Sequence, residues 1–389
     1  MNTDIRMSRG RKIFFFVVTF CIISIFVLTV TKVSLRLFFS RRRHCVHPPN
    51  ITILRNTIKG TLPGIEGETK FTTNSYGLRG PELPRDRTDK DYVILFVGGS
   101  STECAYLDDK DAWPNLVMEN LNAAVKRHNV IAQNAGRAPH STRNHIVLLN
   151  YLLPVIRPSC VIILCGGNEL KLISIADPDF THNSQKLERT RKETFWNLEY
   201  QTSPEIPFYK KTIIWQALRK AAFSYSHRMM VEDKKGKCYI DRRKAYQEGR
   251  KVKIFNSEGI VDRINRGLLE YRRNIKEIIN ICKRNKVRPI FITQPTLLRK
   301  GLPENYRRLL WLGQIAENVY GDEEDLEKLL GMYNEALKEI CVQNDVEYID
   351  LANDINKDMD NFYDDGHFNR KGSHKVAAVV TDYLRTRLP

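Results

Sequence analysis

The stretch Tyr92-Val-Ile-Leu-Phe-Val-Gly-Gly-Ser-Ser-Thr102 runs from six apolar residues straight into two glycines and three hydroxyl side chains. A short run rich in β-branched and aromatic residues, bounded by glycine, reads as a strand buried on both faces, as strands of parallel sheets are. Four further runs of this kind follow: Val130 to Asn134, Cys160 to Leu164, Arg288 to Thr293 and Val346 to Leu351. Between and after them lie helix-compatible stretches near Trp113 to Arg127, Thr142 to Ile156, Asp262 to Arg284, Glu323 to Gln343 and Lys371 to Arg387. Strands alternating with helices predict an α/β fold with a flavodoxin-like, doubly wound, five-stranded parallel sheet.

Upstream, Ile13 to Thr31 is a run of 19 residues without a charge, dominated by Phe, Val and Ile. As a helix it nearly spans a hydrocarbon core, so we expect a transmembrane anchor over 13–33, a tail over 1–12 and a juxtamembrane linker over 34–69. The run is longer than the apolar region of a cleavable signal peptide and lacks a small-residue cleavage site after it. Of the net charge of +17, the first 43 residues contribute +8. The excess flanks the apolar run, and Arg41 to Arg43 reads as a membrane-surface or orienting cluster. No basic motif interleaved with aromatics accompanies it, so nucleic acid is not an expected partner. Lys and Arg are balanced across the run, which leaves topology undecided by charge.

The eight cysteines include Cys21 inside the apolar run, which leaves an odd number outside it, none in CxxC spacing. Neither a zinc site nor a complete disulfide framework is indicated. Cys160 and Cys165 sit in a strand-like apolar run and read as small core residues. The main domain is expected over 70–388, with an inserted cap-like segment over about 175–261 that is too long for an ordinary connection. Its Trp196, Tyr200, Tyr209, Trp215 and Phe223 are more aromatics than a disordered excursion carries.

In open parallel sheets ligands bind beyond the carboxyl ends of the strands. The residues standing there are Gly98-Gly99-Ser100-Ser101-Thr102, Asn134-Ala135-Gly136, Gly166-Gly167-Asn168-Glu169 and Asp364-Asp365-Gly366-His367. A serine hydroxyl needs a base to take its proton and a carboxylate to orient that base, roles that His367 and Asp364 can fill for Ser100. An oxyanion needs donors, and the backbone N–H groups of Ser100 and Gly136 with the Asn168 amide supply three. Taken singly each block has a plainer reading: a strand-to-helix turn or phosphate cradle at Gly98–Thr102, a turn glycine at Gly136, a helix cap at Asn168, a surface pair at Asp364 and His367. Their order and shared position after strands favour the catalytic one. His140, His145 and His374 are given no role.

These four blocks, in this order, resemble the SGNH (GDSL-like) hydrolase superfamily over roughly residues 70 to 388. The resemblance makes Ser100 the nucleophile, Gly136 and Asn168 oxyanion-hole residues, and Asp364 and His367 the acid–base pair. Asn74-Ser75-Tyr76-Gly77-Leu78-Arg79-Gly80 and Gln294-Pro295-Thr296 are similar to segments of bacterial members and carry no expected catalytic role. Two positions depart from the family pattern: Gly99 stands beside the nucleophile where Asp is usual, and Glu169 follows Asn168 where Asp is common. The implied activity is a membrane-anchored serine ester hydrolase, an acylhydrolase or deacetylase, acting on an acylated glycan or lipid outside the cytoplasm. The alternatives are an O-acyltransferase in envelope or exopolysaccharide modification and a non-catalytic carbohydrate-binding or assembly protein. With no metal cluster or nucleotide fingerprint, no cofactor is expected.

Overall fold

The computed structural model describes residues 8–40, 44–57, 59–171, 177, 180, 183–199, 215, 235–256 and 258–388. The chain divides into two units, one of residues 1–43 with 203–226 and the other of residues 44–202 with 227–389. In the first, helix α1 (Arg9–Ser40) contains the whole uncharged run. Its Phe, Ile and Val side chains from Ile13 to Val33 are exposed, unlike those of a core helix. Arg9–Ser34 is long and apolar enough to cross a membrane. Within it, the Thr29 hydroxyl donates to the Ile25 carbonyl (2.8 Å), so the helix satisfies its own hydroxyl. Residues 1–7 and the Arg41–Arg43 cluster lie outside the described residues.

The second unit opens with an antiparallel pair, β1 (Thr52–Asn56) and β2 (Glu68–Thr72). Then come β3 (Asp91–Gly98), the one-turn helix α2 (Ser100–Glu103), α3 (Trp113–Ala124), β4 (Asn129–Asn134), α4 (Thr142–Ile156) and β5 (Cys160–Leu164). The described part of the insertion supplies α5 (Ser184–Thr194), α6 (Lys235–Glu248) and β6 (Arg250–Val252), and α7 (Glu258–Arg284) leads back to the sheet. The chain closes with β7 (Arg288–Ile292), the short strands β8 (Gln314–Ala316) and β9 (Val319–Gly321), α8 (Glu323–Gln343), β10 (Glu347–Ile349) and α9 (Arg370–Arg385). Helix starts follow local chemistry. The side chains of Asn183, Asp322 and Asn369 accept the N–H of Lys186, Asp325 and Gly372, and Ser141 forms a capping box with Asn144.

The five main strands form one parallel sheet in the order β10-β7-β5-β3-β4. This is the flavodoxin-like order expected from the sequence, and its winding reverses between β3 and β5. The crevice for a ligand lies beyond the carboxyl ends of those two strands. Both sheet faces are covered. Alternate residues Tyr92, Ile94 and Phe96 of β3 join the core under α3 and α9, whereas Val93, Leu95 and Val97 join the core under α4 and α7. Cys160 and Cys165 fall into these two cores, and burial pushes both thiols up, which leaves them inert packing groups.

The expected linker over 34–69 requires correction, because the second unit begins at residue 44. Cys45, Val46, Leu62 and Ile65 are buried, and β1 pairs with β2. Directed bonds add to this burial and pairing. Thr73 donates its hydroxyl to the Pro48 carbonyl (2.6 Å), and Arg55 donates to the Ala105 carbonyl (2.5 Å). In the insertion, α6, β6 and a strand pairing of β6 with β9 are ordered parts of the second unit. Trp196 lies in a short helix and Trp215 is exposed, while Tyr200, Tyr209 and Phe223 lie outside the described residues.

Candidate active site

The turn after β3 holds Ser100 by close backbone packing. A Cβ on Gly98 would stand 2.1 Å from Thr102 Oγ1, one on Gly99 2.3 Å from Asn168 Nδ2, and one on Gly136 2.4 Å from the backbone nitrogen of Glu103. Gly98 and Gly136 have no room for a side chain, whereas a Cβ at position 99 would push aside the Asn168 amide. Asn134, at the end of β4, donates its amide to the Thr102 carbonyl (2.7 Å). Arg79, only 1% exposed, donates to the carbonyls of Glu103, Cys104 and Leu107 (3.0, 2.7 and 2.7 Å) and pairs with Asp109 (2.7 Å). The Asn74–Gly80 segment therefore clamps the far end of α2, where helix carbonyls lack intrahelical partners. Trp113 Nε1 donates to the Ser101 carbonyl (3.0 Å) while its ring packs edge-on against Phe96, which ties α2 to the core.

His367 reaches Ser100 from the other side of the cleft. Its Nε2 lies 2.6 Å from Ser100 Oγ, and its Nδ1 lies 2.8 Å from both carboxylate oxygens of Asp364. With Asp364 ionised, Nδ1 carries the proton and Nε2 is free to accept from the serine hydroxyl. Asp364 is fully buried and collects further donors: the N–H groups of Gly366 and His367 (3.1 and 2.9 Å) on Oδ1, and the Trp311 indole N–H (3.0 Å) on Oδ2. Burial opposes ionisation of Asp364, yet the His367 charge and these hydrogen bonds outweigh it and hold the carboxyl below its ordinary range. Burial likewise disfavours the imidazolium of His367, but the charge and hydrogen bond of Asp364 prevail and raise it above 6.5. The Ser101 hydroxyl donates to the Gly366 carbonyl (2.9 Å), a direct link between the two sides.

Asn168 follows β5 and donates its side-chain amide to the His140 carbonyl (2.7 Å), which leaves the second amide hydrogen for another acceptor. The Ser100 N–H opens α2, where no intrahelical acceptor exists. Gly136 is brought to the site by its backbone packing on α2, but its N–H is donated to Asn134 Oδ1 (2.8 Å). The Glu169 carboxylate accepts the N–H groups of Thr142 and Gly166 (2.7 and 2.9 Å), so it braces the loop carrying Asn168. Between these walls lies a cavity of about 50 Å³, lined by Gly99, Ser100, Asn168, Pro295, Trp311 and His367 among others. It has room for roughly three to five water-sized groups, the scale of a short acyl chain. Gln294 and Thr296 also line it; Gln294 N–H donates to Asn334 (2.9 Å) and the Thr296 hydroxyl to the Asp365 carbonyl (2.7 Å).

Of the histidines given no role, His140 serves through its carbonyl, His145 is buried and pushed down to about 4 by burial, and His374 faces Asp111 at 3.3 Å. Trp311, Asn134 and Arg79 support the candidate site, and the sequence did not single them out by role. Arg79 belongs to the quoted Asn74–Gly80 motif, and Asn134 stands in the block after β4. Trp311, 53 residues before Asp364, carries no local signal. Among the described residues, no group of His, Cys, Asp or Glu is arranged to hold a metal ion.

A serine whose hydroxyl faces a buried His–Asp pair at the carboxyl edge of a parallel sheet is the arrangement of nucleophilic acyl-transfer sites. Neither a family model nor a curated protein matches the chain. Among solved structures, it is similar to the lipase/acylhydrolase from Enterococcus faecalis, at 14% identity and TM-score 0.40 over 77% of this chain and 97% of that one. It is also similar to the psychrotrophic esterase EstA from a Pseudoalteromonas species, at 10% identity and TM-score 0.37 over 76% and 98% of the two chains. A GDSL-like lipase from Bacteroides thetaiotaomicron is similar at 9% identity and TM-score 0.38 over 79% and 93%.

Proposed function

We propose that this chain is an SGNH-type serine ester hydrolase that works through a covalent acyl-serine intermediate on an acylated glycan or lipid. The observation that carries the proposal is the Ser100–His367–Asp364 chain of contacts, at 2.6 and 2.8 Å. His367 Nε2 takes the Ser100 proton as Oγ attacks the ester carbonyl carbon. The developing oxyanion is held by the Ser100 N–H and the second amide hydrogen of Asn168. Gly136, whose N–H is donated to Asn134, acts in this scheme by letting β4 approach α2. The tetrahedral adduct collapses as His367 returns the proton to the leaving alcohol, and water then repeats the sequence on the acyl-serine.

The activity resides in the second unit and α1 anchors it, with residues 1–12 inside the cytoplasm and the catalytic domain outside. Protease treatment of intact cells checks the sidedness: a protected catalytic domain rules this topology out. For the chemistry, full-length protein in detergent is assayed on p-nitrophenyl esters of graded chain length and labelled with a fluorophosphonate. Ser100→Ala and His367→Ala each lose about a thousandfold or more in turnover, and Ser100→Ala abolishes the label. Turnover at the wild-type rate in Ser100→Ala overturns the proposal.

A further inference from the structure

Helix α6 of the insertion packs on the acid member of the site. Its Tyr239 meets the Trp311 ring edge-on (5.8 Å, 89°), and the Arg242 guanidinium sits 4.8 Å from the centre of the same ring. Arg243 donates to the carbonyls of Thr61 and Tyr363 (2.6 and 3.0 Å), which fastens the helix beside the Asp364 loop. Trp311 is thus gripped from outside by α6, while its indole N–H points inward to Asp364 Oδ2 and its ring lies parallel to that of His367 (6.1 Å, 7°). Its backbone is fixed as well, because the N–H groups of Trp311 and Leu312 both donate to Asp365 Oδ2 (2.8 and 2.9 Å).

We infer that Trp311 is a positioning residue for the Ser100–His367–Asp364 triad, and that α6, through Arg242 and Tyr239 on its ring, sets the strength with which Trp311 holds Asp364. The inference rests on reading these three residues as the triad. A cation over an indole withdraws electron density and makes its N–H a better donor. A donor on the carboxylate spreads its charge, so Asp364 pulls less strongly on the His367 Nδ1 proton. The insertion then keeps part of the imidazole neutral, the form a general base requires, against the carboxylate that would drive it to imidazolium. The other groups facing this pair do not replace that effect. Asp365 and Glu103 favour the imidazolium, while burial keeps the phenols of Tyr239 and Tyr363 protonated.

The test follows the His367 ring in full-length protein in detergent by selective ¹⁵N-histidine NMR titration, assigned with His367→Gln, beside the pH profile of kcat/KM on p-nitrophenyl acetate. Trp311→Phe keeps the ring and removes the N–H. It is expected to raise the His367 pKa by about half a unit and to move the acid limb of kcat/KM up with it, with a roughly two- to tenfold loss at neutral pH. Arg242→Ala shifts His367 in the same direction by less, Arg242→Lys reverses most of that shift, and the Arg242→Ala effect shrinks in the Trp311→Phe background because it acts through the indole. An unchanged His367 titration in folded Trp311→Phe overturns the inference, as does an Arg242→Ala shift of the same size with and without the indole N–H. If Trp311→Phe does not fold, Arg242→Ala decides, since an unmoved His367 overturns the inference and a shift reversed by Arg242→Lys supports it. The NMR readout needs no turnover, so a protein that hydrolyses no ester yet shows these shifts refutes the proposed function and leaves the positioning role standing.

Discussion

The two walls of the cleft are built by different physics. On the Ser100 wall, close packing does the positioning: Gly98 and Gly136 have no room for a Cβ, and loose helix carbonyls are captured by Arg79 and Asn134. On the His367 wall, side chains do the positioning, with two adjacent buried carboxylates, an imidazole and flanking aromatic rings. The first wall is steric and responds to a change by being right or wrong. The second is electrostatic, and its responses are graded and depend on pH. Asp364 and Asp365 show this within one loop. Each accepts two backbone N–H groups, yet only Asp364 also holds an imidazole and an indole N–H, and only Asp364 is pulled below the carboxylate range.

The largest effect comes from discharging the electrostatic wall. Asp364→Asn keeps the volume but removes the charge that fixes the His367 tautomer, and should lower kcat/KM by about 10⁴. The sign of its pH effect is also set. Asp364 is what raises His367 above 6.5 against burial, so without it the imidazole titrates lower and the acid limb of the residual activity moves to lower pH. A residual rate with an unmoved acid limb would mean that His367 is not the base. On the opposite wall, Asn168→Ala removes one oxyanion donor and should cost about 10² to 10³ in kcat with little change in the pH profile. If Asn168→Ala shifts the profile as much as Asp364→Asn does, the division between the walls fails.

This division also explains what was legible in the sequence. The strands were readable because Tyr92–Val97 and Cys160–Leu164 are buried on both faces, so local composition alone gives them away. The blocks that line the candidate site were readable because turns after parallel strands leave few positions for chemistry, and Asp364 and His367 are only three residues apart. Residues 44–69 read as linker because their buried residues Val46, Leu62 and Ile65 are scattered, and the β1–β2 ladder and the bonds of Thr73, His47 and Arg55 that hold them leave no periodic apolar pattern. Gly136 was legible as a site glycine, but not the capture of its N–H by Asn134, which depends on a rotamer. Trp311 and α6 were illegible for a different reason. Their partners lie far away in the chain, and Lys235–Glu248 presents a polar, basic sequence that seats Tyr239, Arg242 and Arg243.

The smallest of these effects is one of stability and isolates the second carboxylate. Asp365 is 1% exposed, its Oδ1 has no hydrogen-bond partner among the described residues, and burial followed by the charge of Asp364 pushes it up to about 7. In the unfolded chain it titrates near 4. The folded state therefore binds this proton more tightly, and the stabilisation that the proton brings is complete below about pH 4 and lost as pH rises through about 7. Asp365→Asn supplies a permanent neutral equivalent: its carbonyl can take the N–H groups of Trp311 and Leu312, and its amide replaces the protonated oxygen. Thermal melts of the full-length protein at pH 5 and pH 8 should show the wild type losing on the order of 1–3 kcal/mol more than the variant. Asp364 contributes in the opposite sense, since its lowered carboxyl stabilises above the unfolded value near 4 and fails only in acid. Wild type and Asp365→Asn with equal pH dependence would show that both carboxylates are ionised together at neutral pH, and the contrast within the His367 wall would collapse.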